Sequence, residues 1–195
     1  MWKKWFLPNV LVLALLTGYL LTEQDAPREE HPPYARDLYG GWTDADGDCQ
    51  DTRQEVLLAE SLTPPELDAR GCRVVRGLWR DPFTGQEFSD PGKLDIDHMV
   101  PLSEAHRSGA HAWPAAKKRE YANDLRHPEA LIAVSRSANR SKGDRDPSDW
   151  LPDNAAYVCD YVRNWVAVKT AWSLTMDVRE EAAVNSIIDQ CKNER

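Results

Sequence analysis

No two of the four cysteines stand as a Cys-x-x-Cys pair, so a zinc site of the usual spacing is not expected. The chain also lacks the basic excess of a protein that coats nucleic acid. Its 24 Lys and Arg face 32 Asp and Glu, a net charge of -8, so contact with a polyanion would have to run through a local basic patch. There is no internal repeat and no low-complexity tract, which argues against a solenoid or an array. No modular sequence-reading domain stands out. The longest apolar run, Phe6 to Leu21, is on the short side for a membrane-spanning helix.

What is present begins with that run. Lys3 and Lys4 precede it, and a basic start before an apolar stretch is an export signal. No clean small-x-small cleavage site follows, so residues 1–22 read as a signal peptide or an uncleaved signal-anchor. Residues 23–33 are charged and Pro-containing, a linker. Residues 34–195 then form one domain outside the cytoplasm, touching a membrane only through the leader if that is retained. An even cysteine count behind an export signal reads as two disulfides. Of the three connectivities, Cys49–Cys72 and Cys159–Cys191 each close a moderate loop near one end of the chain.

The 195 residues suffice for one hydrophobic core. Asp44-Ala45-Asp46-Gly47-Asp48-Cys49 is an acidic turn whose Gly and Cys stand at the wrong places for a calcium loop. Thr52 to Glu60 reads as a helix capped by Asp51 or Thr52, and Thr63 to Leu67 as a loop. Cys72 to Trp79 reads as one strand, with Glu87-Phe88 pairing back across the Asp81 to Gln86 turn. Strands are expected over Lys93 to His98 and Leu131 to Val134. Helices are expected over Pro114 to Ala122, Ala155 to Lys169 and Arg179 to Cys191, with Tyr157, Trp165 and Trp172 as core. His106 and His111 read as solvated helix-surface residues and His127 as a loop residue. Lys117, Lys118, Arg119, Arg136, Arg140 and Arg145 form either a basic patch or a scattered solvated set.

Two stretches carry chemistry. Leu94-Asp95-Ile96-Asp97-His98 alternates apolar and polar residues and then delivers an acid and an imidazole. Leu131 to Ser135 is a short apolar run followed by a polar turn containing Arg136, Asn139, Arg140, Lys142 and Asp144. Asp97 and Asn139 are hard oxygen donors suited to Mg2+ or Mn2+. His98 can take a proton from water, and Lys142, Arg140 and Arg136 can meet phosphate oxygens. Asp95, two residues before Asp97, can share its strand face.

Asp97-His98-Met99-Val100-Pro101-Leu102-Ser103, then Leu131 to Ser135, then Asn139-Arg140-Ser141-Lys142 and Asp144, resembles the HNH, or ββα-metal, nuclease motif. It looks like the version found in the HNH domain of CRISPR effector nucleases. The stretch from about Cys49 to Cys191 is similar to exported HNH-family proteins related to the C-terminal domain of GmrSD-type restriction nucleases. The resemblance implies an α+β fold, a ββα-metal finger embedded in additional helices. It implies an endonuclease hydrolysing DNA, with RNA as the other candidate, with little sequence specificity. His98 would be the general base, Asp97 and Asn139 would hold a single Mg2+ or Mn2+, and Lys142 would support the phosphate or the geometry. A monomer is expected. One departure is visible: Pro128-Glu129-Ala130 stand where the family has a middle Asn that ties down the loop, and Asn123 is the candidate to replace it. The competing readings are a non-catalytic secreted or surface binding module on the same scaffold, and a calcium-stabilised protein built on Asp44 to Asp48.

Overall fold

The computed structural model describes residues 32–193, so the leader and nearly all of the linker lie outside the described residues. The ordered elements are α1 (Thr52–Glu60), β1 (Glu66–Leu67), β2 (Val74–Arg76), β3 (Trp79–Arg80), β4 (Glu87–Phe88), β5 (Leu94–His98), α2 (Leu102–Arg107), α3 (Ala115–Ala122), β6 (Leu131–Ser135), α4 (Arg136–Lys142), α5 (Val158–Trp172) and α6 (Val178–Asn193). The fold is α+β. Its strands form three separate antiparallel pairs, β1–β2, β3–β4 and β5–β6. Both disulfides have the expected partners, Cys49–Cys72 and Cys159–Cys191, and the second bridges α5 and α6.

The β5–β6 ribbon positions everything else. Its register sets Leu94 opposite Ser135, Ile96 opposite Ala133 and His98 opposite Leu131. Successive side chains point to opposite faces. Leu94, Ile96, Leu131 and Ala133 therefore share one face, where they pack with Val56 and Leu57 of α1 and with Trp79. Ile132 and Val134 fall on the other face, in the larger core with Phe83, Ala138, Tyr161 and Trp165. Asp95 and Asp97 alternate onto that second face, the side that carries α4. Helix α1 also reaches both ribbon edges. Arg53 donates to the outward Leu94 carbonyl (3.0 Å), and Glu60 accepts from the outward Ala133 N–H (2.8 Å).

Several boundaries differ from the sequence reading. Asp51, not Thr52, caps α1, accepting from the Gln54 N–H at 3.1 Å. The Thr52 hydroxyl instead donates to Asn123 Oδ1 and the Thr43 carbonyl. The stretch expected as one strand over Cys72 to Trp79 divides into β2 and β3, which pair with different partners. The end of the expected Thr63 to Leu67 loop is β1. Trp79–Arg80 and Glu87–Phe88 do form a hairpin. Trp165 and Trp172 are core residues. His106 is buried rather than solvated, with its Nδ1 facing the Tyr39 hydroxyl at 3.2 Å.

The helical half is held by a buried charge cluster. The Lys169 ammonium, 1% exposed, lies 2.9 Å from Glu104, 2.7 Å from Glu180, 2.9 Å from the Ser108 hydroxyl and 2.9 Å from the Thr175 carbonyl. Trp165 donates its indole N–H to Glu180. The cluster joins α2, α5 and α6, and Arg107 carries it on from Glu104 to Asp144.

Candidate active site

A cleft of about 330 Å³ opens at the end of β5. Asp97, His98, Ser103, Asn139 and Asp144 line it, together with Tyr34 and Arg36 from the segment before α1.

His98 ends the strand. Its Nε2 lies 3.0 Å from the Ala122 carbonyl. A carbonyl only accepts, so Nε2 carries the proton and Nδ1 keeps its lone pair in the neutral ring. The ring is stacked between Trp42 (centroids 5.4 Å apart) and Tyr121 (6.3 Å). Burial pushes the imidazole pKa down to about 3, and the nearby Arg36 and Lys142 charges push the same way against the Ala122 hydrogen bond. The ring is thus neutral at ordinary pH and fixed in one tautomer.

Asp97 and Lys142 form a buried pair, Oδ2 to Nζ at 2.6 Å. The same ammonium donates to the His98 carbonyl at 2.7 Å. Burial raises the Asp97 carboxyl above its ordinary range and lowers the Lys142 ammonium below its own, and the pairing opposes both shifts. Lys142 is fully buried and lies outside the lining of the cleft. It fixes the strand end instead, bracing the Asp97 side chain and the His98 backbone at once. The second Asp97 oxygen has no protein donor among the described residues.

Ser135 caps α4 by accepting from the Ala138 N–H, which sets the helix off directly from the end of β6. That places Asn139 and Lys142, three residues apart, on one side of α4. The Asn139 amide nitrogen donates to Asp95 Oδ2 at 3.1 Å, so its oxygen is the end left without a protein donor among the described residues. Asp95 is also 3.6 Å from Arg136 Nε. The two oxygens, one from Asp97 and one from Asn139, belong to residues lining the same cleft and suit a hard divalent cation. Arg136 and Arg140 are exposed and do not line it.

The sequence reading missed the cleft's other wall. Residues 34–43 form a strap that packs on α2, α3 and the His98 ring, with a short 3-10 helix at Arg36–Tyr39. Tyr39 is buried. Asn123 ties the strap down, accepting from the Thr43 N–H and the Thr52 hydroxyl while donating to the Gly41 carbonyl. Asn123 therefore does secure a loop, but the loop is this strap and the start of α1. The signal available was the clustering of Tyr34, Arg36, Tyr39 and Trp42 in a segment next to a linker.

The other candidates lie elsewhere. His127 pairs with Asp124 at 2.6 Å beneath Trp172. His111 Nδ1 faces the His106 carbonyl. Lys118 is buried and donates to the His111 carbonyl. The exposed Asp44, Asp46 and Asp48 carboxylates converge, and Asp44 accepts from the Gly47 and Cys49 N–H groups of its own turn.

Comparison with known proteins identifies the family. An uncharacterized secreted protein of Arthroderma benhamiae is 36% identical over 184 residues, which cover 94% of this chain and 88% of that protein. No solved structure matches the chain. The profile of the GmrSD restriction endonucleases, C-terminal domain, matches residues 51–183, from the cap of α1 into α6 and across the whole β5–β6–α4 unit. On the extent of that match, this chain belongs to the family of GmrSD restriction endonuclease C-terminal domains.

Proposed function

We propose that the protein is an exported, metal-dependent HNH endonuclease that hydrolyses phosphodiester bonds, with β5, β6 and α4 as its ββα-metal finger. One observation carries this reading: a neutral imidazole of fixed tautomer lines a cleft that two oxygen donors, Asp97 and Asn139, also line. Residues 1–22 serve as the export leader and residues 34–195 as the nuclease domain. The secreted relative supports the location.

Asp97 and Asn139 would hold the cation, Mg2+ or Mn2+. When bound, it neutralises charge on the scissile phosphate. His98 Nδ1 takes a proton from a water molecule as the water oxygen bonds to phosphorus and one ester oxygen leaves. The Ala122 carbonyl holds the Nε2 proton, which stabilises the imidazolium that forms. Trp42 and Tyr121 keep the ring plane fixed and exclude bulk water from both its faces. Lys142 holds the Asp97 carboxylate in place, and Asp95 turns the Asn139 oxygen away from itself by engaging the amide nitrogen.

The test is cleavage of plasmid DNA and of single-stranded circular DNA by purified protein with Mg2+ or Mn2+. The expected result is degradation that falls about 10²-fold or more in His98→Ala, the usual contribution of a general base, with an unchanged far-UV spectrum. Equal cleavage by both proteins, or none by either, sinks the reading. A non-catalytic binding module is the second reading. The observation favouring it is the Asp97–Lys142 pair, which already satisfies one carboxylate oxygen. It predicts no heat on titration with Mn2+.

A further inference from the structure

The family match begins at residue 51, yet two side chains lining the cleft, Tyr34 and Arg36, precede it. Arg36 is the one basic side chain lining the cleft among the described residues, apart from the neutral His98. It forms no ion pair with a carboxylate among the described residues, and its guanidinium lies 6.0 Å from the Trp42 ring that covers His98. Tyr34 is 38% exposed. Its ring is braced by Tyr39 (6.0 Å) and by an edge-on contact with His106 (5.7 Å). A braced, half-open aromatic ring and a guanidinium with no carboxylate partner among the described residues thus stand two residues apart on a strap whose position is fixed by Asn123 and buried Tyr39.

A duplex is normally held by many phosphate contacts from Lys and Arg. This cleft offers one such cation, and the chain carries a net charge of -8. Affinity must therefore come from elsewhere, and stacking of an unpaired base on an aromatic face is the sequence-tolerant source. Paired bases in a duplex have no free face to give. Resting on the nuclease reading above, we propose that the strap is a substrate clamp for single-stranded nucleic acid: Arg36 takes a phosphate and Tyr34 stacks an unpaired base beside it.

The test measures binding, so it stands apart from cleavage. Fluorescence anisotropy of the full chain carrying His98→Ala is read with a labelled single strand of about 12 nucleotides, and with the same sequence as a duplex. The expected result is about tenfold tighter binding of the single strand, with about tenfold losses for added Arg36→Ala and for added Tyr34→Ala. Arg36→Ala should also lower the slope of log affinity against log salt by about 0.7, while Tyr34→Ala leaves it unchanged. Melting temperatures equal to the parent's establish that both variants fold. Duplex binding as tight as single-strand binding, no binding of either, or parent-like affinity in either variant overturns the proposal. If the wild type cleaves nothing but these binding differences appear, the nuclease reading fails and the clamp stands.

Discussion

Two lysines are buried to 1% or less, and they are buried differently. Lys169, in the helical half, meets two carboxylates, a hydroxyl and a carbonyl. Lys142, in the β5–β6–α4 unit, meets one carboxylate and one carbonyl. Taking a charge out of water costs several kcal/mol, and only close, well-made contacts offset it. Around Lys169 four partners compensate the charge and neither carboxylate lines the cleft at the end of β5, so the cluster serves the fold. Around Lys142 the single counter-ion, Asp97, also lines the cleft. The helical half spends its buried charges on stability, whereas the β5–β6–α4 unit holds one of its own at the wall of a cleft.

The sharpest way to break this contrast is Lys169→Met. It leaves Glu180 and one side of Glu104 buried without a cation, which costs about 3–5 kcal/mol. That is roughly 10 °C in melting temperature for a domain of this size, read by urea and thermal denaturation. A loss under about 1 kcal/mol would show that the cluster is not the clamp described. Lys142→Met should cost less, about 3 kcal/mol, because only one carboxylate is stranded. Adding Asp97→Asn should then recover about 2 kcal/mol, the coupling expected of a close pair in a double-mutant cycle. Strict additivity would mean that the two side chains do not depend on each other.

Glu60 extends the comparison to a half-buried acid with no cation partner among the described residues. Burial raises its pKa from 4.5 to about 7, against the single Ala133 N–H it accepts from. The folded state then binds the proton more tightly than the unfolded chain does. Glu60's contribution is complete below about pH 4.5 and lost as pH rises through about 7. Melting temperature should fall between pH 5 and pH 8 more steeply in the wild type than in Glu60→Gln, and identical slopes would refute the assignment. The smallest effect is expected at the surface. Arg136→Ala removes an exposed pair with Asp95 at 3.6 Å and should change stability by less than about 0.5 kcal/mol.

The ribbon was legible because its alternation is strict. Leu94 and Ile96 face α1 while Asp95 and Asp97 face α4, as a period of two requires. The disulfide partners followed from loop length. Lys142 was harder: its spacing from Asn139 gives the shared helix side, but nothing local shows that the ammonium ends up beneath Phe83 rather than toward solvent. His106 could have been placed, since Leu102, Ala105 and His106 fall at the spacing of one helix face and all three are buried. The strap was not legible. Its contacts with His98 and Asn123 span more than fifty residues, and no periodicity within residues 34–43 points to them.

One helix closes both margins of the central ribbon, with Arg53 on β5 and Glu60 on β6. An uncovered strand margin is a template on which neighbouring molecules add. Lys142 also covers the β5 margin at the His98 carbonyl, but fraying of α1 bares the Leu94 carbonyl and the Ala133 N–H together. Solubility then leans on the nine residues of α1, and clumping on mild heating should begin there, before the helical half melts.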